Sequence, residues 1–382
     1  MRIVRGVPLL LLALVLTACG GSGEPAPVKA EPTPAHHAAP TATPKARTPL
    51  RAGERRVKIA MPASYKPSAP HGVGTDDYRC FLLDPKVAQD SFVTGFDVLP
   101  GNPDVVHHVI LFRVPPSALA EAERTDAETP GQGWTCFGNS GLDESGGLDD
   151  APWLGAWAPG GTEQLYGAGL GESFPKGSRI VMQVHYNLLA GTEPDSSAAE
   201  LRLTSDPSTT PLETQLLPAP VELPCRPGHP GKLCDREAAF ADVQARFGRA
   251  AQTANLLHLL CGGEPAGPVQ TCTRTIDRPE TVRAAAGHMH LLGRSIKVEA
   301  NPGTPRARTL LDIKVWDFDN QRSRPIPAVR LRKGDTVKVT CRHDQSLRDL
   351  LPSFKGQPER YVMWGEGTTD EMCLGILLVT RP

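Results

Sequence analysis

"KGSRIVMQVHY", Lys176 to Tyr186, decides how the folded part of this chain is read. A Lys-Gly-Ser turn opens onto a run rich in β-branched and long apolar residues. In an extended chain successive side chains alternate, so Met182, Val184 and Tyr186 share one face while Gln183 and His185 share the other. Lys333-Gly334-Asp335 opens in the same way onto "TVKVTCRH". Together with Val105 to Phe112, Thr309 to Phe318 and Met372 to Thr380, these runs read as short strands bounded by turn residues, at the spacing of an all-β sandwich. The repeated opening suits two domains of one architecture, 56–205 and 206–382. One stretch departs from the pattern. Asp235 to Leu260, rich in Ala, Leu, Arg and Gln, reads as one helix or a helical hairpin broken at Gly248. It is a helical insertion, residues 235–260, near the start of the second domain, with His258 as a packing residue.

The N-terminus carries Arg2 and Arg5, then an apolar run from Val7 to Leu16 and the box Leu16-Thr17-Ala18-Cys19. That run is about half of the roughly 20 residues a membrane span needs, so residues 1–18 read as a cleaved signal peptide. Its box resembles that of bacterial lipoproteins, with Cys19 as the lipidated residue. The expectation is an exported, lipid-anchored protein, and Gly20 is compatible with the outer membrane. Residues 19–55 are Ala, Pro, Thr and Gly with almost no core material and read as a disordered tether. His36 and His37 lie in it and are set aside as ligands.

The chain has 41 basic and 42 acidic residues, so it offers no field to steer nucleic acid, and no nucleic-acid partner is expected. Setting Cys19 aside leaves eight of the nine cysteines, an even number that in an exported chain argues for four disulfides. About a hundred pairings are open to eight cysteines, and spacing does not choose among them. No Cys-x-x-Cys pair occurs, which counts against zinc ribbons and thioredoxin-like chemistry.

In "GHMHLL" strand alternation points His288 and His290 the same way and Met289 the other. Such a pair either binds a metal or faces solvent. In "VVHHVILF" the adjacent His107 and His108 project to opposite faces of a regular strand, so joint ligation needs a bulge or a bend. With His185, five of the 11 histidines sit in strand-like apolar contexts where an unsatisfied imidazole is costly to bury. His107, His108 and His185 could close one site. His288 and His290 need a further ligand, and Met372 in "DEMCLGILLV" is the candidate. Two imidazoles and a thioether favour copper over zinc; alone, Met372 reads as a core filler.

Taken in order, "DDYRCFLL" with Cys80, "HHVILF", "GAWAPG" at Gly155 to Gly160, "FPKGSRIVMQVHYN", "GHMHLLG" and "DEMC" resemble the copper type II, ascorbate-dependent monooxygenases, the family of peptidylglycine α-hydroxylating monooxygenase and dopamine β-monooxygenase. The resemblance implies two antiparallel jelly-roll β-sandwich domains and two coppers per chain. It implies that His107, His108 and His185 bind an electron-transfer copper and that His288, His290 and Met372 bind the catalytic one. It also implies disulfides Cys80 with Cys136 and Cys341 with Cys373, and leaves Cys225, Cys234, Cys261 and Cys272 without a counterpart. The activity implied is hydroxylation of a substrate carbon by O2, with ascorbate or another one-electron reductant as co-substrate.

The chain departs from the peptidylglycine enzyme where that enzyme holds its peptide. Ala286, Leu374 and Ile376 stand at the positions of its Arg, Asn and Tyr and cannot grip a carboxylate in bidentate fashion. The expected substrate is therefore a less polar small molecule or a lipid-like one. The alternative is a copper-binding lipoprotein for storage, delivery or sensing, without turnover. A purely structural β-sandwich, in which the histidines bind nothing, is the third possibility.

Overall fold

The strand Arg179–Asn187 runs through the middle of a five-stranded sheet, between Asp76–Leu83 and Val106–Val114, with Trp134–Thr135 and Trp153–Trp157 at the edges. Its Met182, Val184 and Tyr186 point into a core shared with Phe81, Leu111, Phe96, Leu201 and Leu203, all essentially buried. The last three come from a second sheet, which begins Glu54–Ala60, Ala198–Thr204, Ser91–Leu99, Leu170–Phe174. Two apolar faces thus close on one another, which is the reason alternating strands form a sandwich. The structure is a computed structural model describing residues 47–72, 74–142, 153–263 and 265–382. The expected signal peptide, Cys19 and the tether as far as residue 46 lie outside the described residues.

The second sheet continues through Thr210–Pro218, Leu374–Thr380, Glu280–His288 and Arg324–Leu331. A four-stranded sheet of Val269–Thr275, Thr336–His343, Gly293–Ala300 and Arg308–Ile313 covers that part. Leu217, Val282, Leu377 and Val379 meet Ile296, Val298, Val337 and Val339 in a second core. The fold is all-β and sandwich-like, and Arg47 to Pro382 form one unit. Among the described strands one pairing is parallel, Thr210–Pro218 on Leu170–Phe174, where purely antiparallel sheets were expected. A third apolar cluster joins the two sandwiches: Ile110, Phe112 and Val181 pack with Val243, Phe247 and Leu257 and with Met363 and Trp364.

Several boundaries differ from the sequence reading. Ordered chain begins before residue 56, because Glu54–Ala60 pairs along Ala198–Thr204. There the buried Arg202 guanidinium binds Glu54 and the backbone oxygens of Thr48 and Pro49, which gives those residues partners that composition does not reveal. The strand expected over Thr309 to Phe318 stops at Ile313, and the chain then bends so that Phe318 and Gln321 approach the histidines. Met372 precedes the terminal strand, which begins at Leu374. Asp235 to Leu260 forms the helices Arg236–Phe247 and Gln252–Leu260 around a 3-10 turn at Gly248, with Asp235 capping the first through the Ala238 N–H. The helix Leu119–Ala127 was not anticipated.

Four disulfides are present. Cys80–Cys136 and Cys341–Cys373 are the two implied by the resemblance, and Cys225–Cys234 and Cys261–Cys272 close short loops on either side of the helices. Such bonds belong to an oxidising, extracellular or periplasmic environment. No helix among the described residues is long and apolar enough to cross a membrane.

Candidate metal centre

The register between Val106–Val114 and Arg179–Asn187 shifts between Val106 and His108. This irregularity turns both adjacent histidines toward His185, as joint ligation requires. His107 Nδ1 lies 3.0 Å and His108 Nδ1 3.2 Å from His185 Nδ1. The other nitrogen of His185 lies 2.9 Å from Asp76 Oδ1. That hydrogen bond places the His185 proton on Nε2 and a lone pair on Nδ1. One lone pair cannot accept from two imidazole N–H groups at full strength, whereas a cation satisfies three converging nitrogens at once.

The surroundings hold this geometry. Tyr78 stacks on His185 with ring centroids 4.0 Å apart, and Phe318 stacks on His107 at 4.8 Å. The Asp76 carboxylate also accepts from the Thr368 N–H at 3.0 Å and its hydroxyl at 2.6 Å. Burial by itself would raise the Asp76 carboxyl, but His185 and Thr368 overcome it and hold the group well below the usual carboxylate range. Burial, and then the neighbouring His185, push His107 and His108 well below the ordinary imidazole value. Both rings are therefore neutral at pH 7, the state that ligates metal.

The second group stands beside the first. His288 and His290 have ring centroids 5.1 Å apart, and His288 is 6.1 Å from His108. His288 ends the strand Glu280–His288 and His290 follows it, while Met289 points into the second core. His288 Nδ1 donates to Gln321 Oε1 at 2.6 Å, which leaves a lone pair on its Nε2. Burial followed by the proximity of His290 pushes His288 down to about 3. His290 is fully buried, and neither of its nitrogens has a partner among the described residues. An imidazole in that state costs stability unless something else takes its lone pair. The sulfur-bearing Met372 lines the same cavity as His107, His108 and His288.

A buried carboxylate organises this second group. Glu371 Oε2 accepts the N–H of His290 at 3.0 Å and of Met372 at 3.2 Å, and Oε1 accepts the N–H of Leu292 at 2.5 Å. His343 Nε2 lies 3.3 Å from the same carboxylate and 3.3 Å from the Met372 carbonyl. The Cys341–Cys373 bond joins the strand of His343 to the residue after Met372.

The structure thus brings His107, His108 and His185 together, pairs His288 with His290, and sets Met372 on the cavity that His107, His108 and His288 also line. Asp76, Tyr78, Phe318, Gln321, His343 and Glu371 were not singled out from the sequence. Tyr78 stands directly opposite His185 in the strand register, a pairing that appears only in the folded sheet. The donor set fits copper, with neutral imidazoles, a thioether and more ring nitrogens than the protein can satisfy.

No protein-family model matches the chain, and no curated protein matches its sequence. Among solved structures it is similar to PNGase F, a glycosylasparaginase from Flavobacterium meningosepticum, at 8% identity and TM-score 0.33, over 86% of this chain and 96% of that one. It is similar to a Paenibacillus xanthan lyase at 12% identity and TM-score 0.19, over 85% of this chain and 25% of that one. Allantoicase follows at 11% identity and TM-score 0.20, over 86% and 90%. Likeness at these scores assigns no activity.

Proposed function

We propose that this chain is a copper-dependent monooxygenase that hydroxylates a C–H bond of an apolar or lipid-like molecule, using O2 and a reductant such as ascorbate. The observation that carries the reading is the set of five imidazoles from three strands turned onto one another, with ring nitrogens that have no sufficient partner among the described residues. Copper bound there would supply one-electron chemistry and oxygen activation, which no side chain provides. His107, His108 and His185 would hold one ion through three nitrogens. His288, His290 and Met372 would hold the other, where the thioether gives a soft, weak third donor. Gln321 fixes the tautomer of His288, and Asp76 fixes that of His185. Ala286, Leu374 and Ile376 line the cavity with no ion-pairing group, so a substrate carbon can lie near Met372 without a carboxylate grip. On the same reading each half is a jelly roll, and Cys19 carries the lipid that anchors the exported protein.

The test is elemental analysis for copper on wild type and Met372→Ala, each followed by ascorbate-driven oxygen uptake. Two coppers per chain in the wild type, with uptake abolished in the variant, are expected. Two coppers without any hydroxylated product would favour storage or delivery, and fewer than two would sink the assignment. Saturable hydroxylation of a glycine-extended peptide would overturn the apolar-substrate part.

A further inference from the structure

The cavity that meets the histidines has a volume of about 960 Å³, at the upper end of small-molecule sites. It is far larger than two metal ions and their ligands need. Much of its wall is apolar, including the buried Trp153 and Trp157. Its charges are few. Among the described lining residues the charged types are Arg249, Arg322 and Glu366.

Arg249 and Arg322 are both exposed at the cavity edge. Arg322 binds the neutral Asn320 side chain, at 2.8 and 3.1 Å, and neither guanidinium forms an ion pair among the described residues. This differs from Arg202, Arg226, Arg246 and Arg360, each of which is paired with carboxylates. Glu366 does not offset the two arginines. It is buried, and burial followed by the nearby Asp370 pushes its carboxyl up to about 8, so it is mostly neutral at pH 7. The wall is thus apolar with a net positive edge. Arg322 follows directly on Gln321, whose side chain accepts from His288.

We propose that the cavity binds an anionic amphiphile, its apolar body against Trp153, Trp157, Leu216, Leu374 and Ile376 and its acidic head drawn to Arg249 and Arg322. The acid is met at the edge, away from the Ala286, Leu374 and Ile376 wall that cannot hold one. The proposal takes its place in a reaction from the monooxygenase reading, and its test does not depend on copper.

Three ligands of one chain length, dodecanoate, dodecan-1-ol and dodecyltrimethylammonium, are titrated below micelle formation into the intact metal-free protein. Tryptophan fluorescence reports binding from Trp153 and Trp157. Two exposed charge contacts are worth about a fivefold gain in affinity, so dodecanoate is expected to bind about fivefold more tightly than the alcohol, with the cation weakest. Added salt narrows that gap. The double variant Arg249→Gln/Arg322→Gln is expected to bring dodecanoate to the level of the alcohol while leaving alcohol binding unchanged, which also shows an intact cavity. Equal binding of acid and alcohol by the wild type, preference for the cation, or a preference for the acid that survives in the double variant would each overturn the proposal. A cavity that selects the acid in protein that takes up no copper would sustain this inference and remove the monooxygenase reading.

Discussion

Asp76 shows how much of the candidate metal centre rests on one residue outside the ligand set. Its carboxylate orders the His185 tautomer and is itself held by two donors from Thr368. Asp76→Asn keeps the shape but replaces a charged acceptor with a neutral amide, and partners of this kind are worth about 10–100-fold in metal affinity. If the two groups hold copper as proposed, the variant is expected to lose the ion of the His107, His108 and His185 group at chelator concentrations that leave the other in place. Competition titration followed by elemental analysis measures this, and equal loss of both coppers would contradict it. The histidines themselves were legible, because period-two alternation puts His185 on one face and the His-x-His spacing puts His288 beside His290. Asp76 was not, since its contact depends on the pairing of Asp76–Leu83 with Arg179–Asn187 and on a loop some 290 positions away. Register is a property of the sheet, and one sequence does not display it.

At the scale of the element, the segment Glu371 to Cys373 acts as a clasp between the strand that ends at His288 and the one that begins at Leu374. Glu371 is fully buried and satisfies three backbone N–H groups. Glu371→Gln can accept through one oxygen only and turns an NH2 group toward donors. A loss of about 2 kcal/mol is expected from the unsatisfied groups. It should appear as a lower melting temperature and as loss of the second copper with the first retained; a variant that keeps both coppers at wild-type affinity would refute the clasp. A different carboxylate marks the parallel junction. Glu172, buried in Leu170–Phe174, accepts from the Thr214 hydroxyl of Thr210–Pro218 at 3.2 Å. Burial pushes it up to about 8, against which the Thr214 bond acts only weakly. Its folded value thus lies above the unfolded one near 4.5. The stability it contributes is full below that lower value and is lost as pH rises toward 8. Glu172→Gln does not titrate, so we expect it to stay near wild type at pH 5 and to exceed it by about 4 kcal/mol at pH 8.5, by calorimetry. A difference independent of pH would show that the residue is charged when folded. The strands were readable from their turns and alternation. The parallel pair and the early end of Arg308–Ile313 were not, because both depend on which distant strand lies alongside.

For the whole molecule, the question is whether the two sandwiches can exist apart. Each has its own apolar core, yet Arg47 to Pro382 form one unit. The structure adds what patterning does not carry: a sheet path that continues from Leu170–Phe174 into Thr210–Pro218, and the third cluster in which Phe112 and Val181 meet Phe247, Leu257 and Trp364. Polar contacts cross the same division. Asp76 and Tyr78 of the first sandwich bind Thr368 and the Glu366 carbonyl, which belong to the segment leading to Met372. Cutting at 205 would leave the outer face of the five-stranded sheet exposed and Asp76 without its donors. At about 25 cal/mol for each Å² of apolar surface, uncovering several large side chains removes a large part of the roughly 5–15 kcal/mol by which a domain is stable. Fragment 47–205 is therefore expected to show no cooperative melt alone and to bind copper far more weakly than the intact chain. Mixing it with fragment 206–382 should restore both, since the interface is largely apolar and Asp76 and Tyr78 find their partners across it. A sharp, reversible transition of 47–205 by itself, with copper bound at the affinity of the whole protein, would instead show that the first histidine group is complete within its own sandwich.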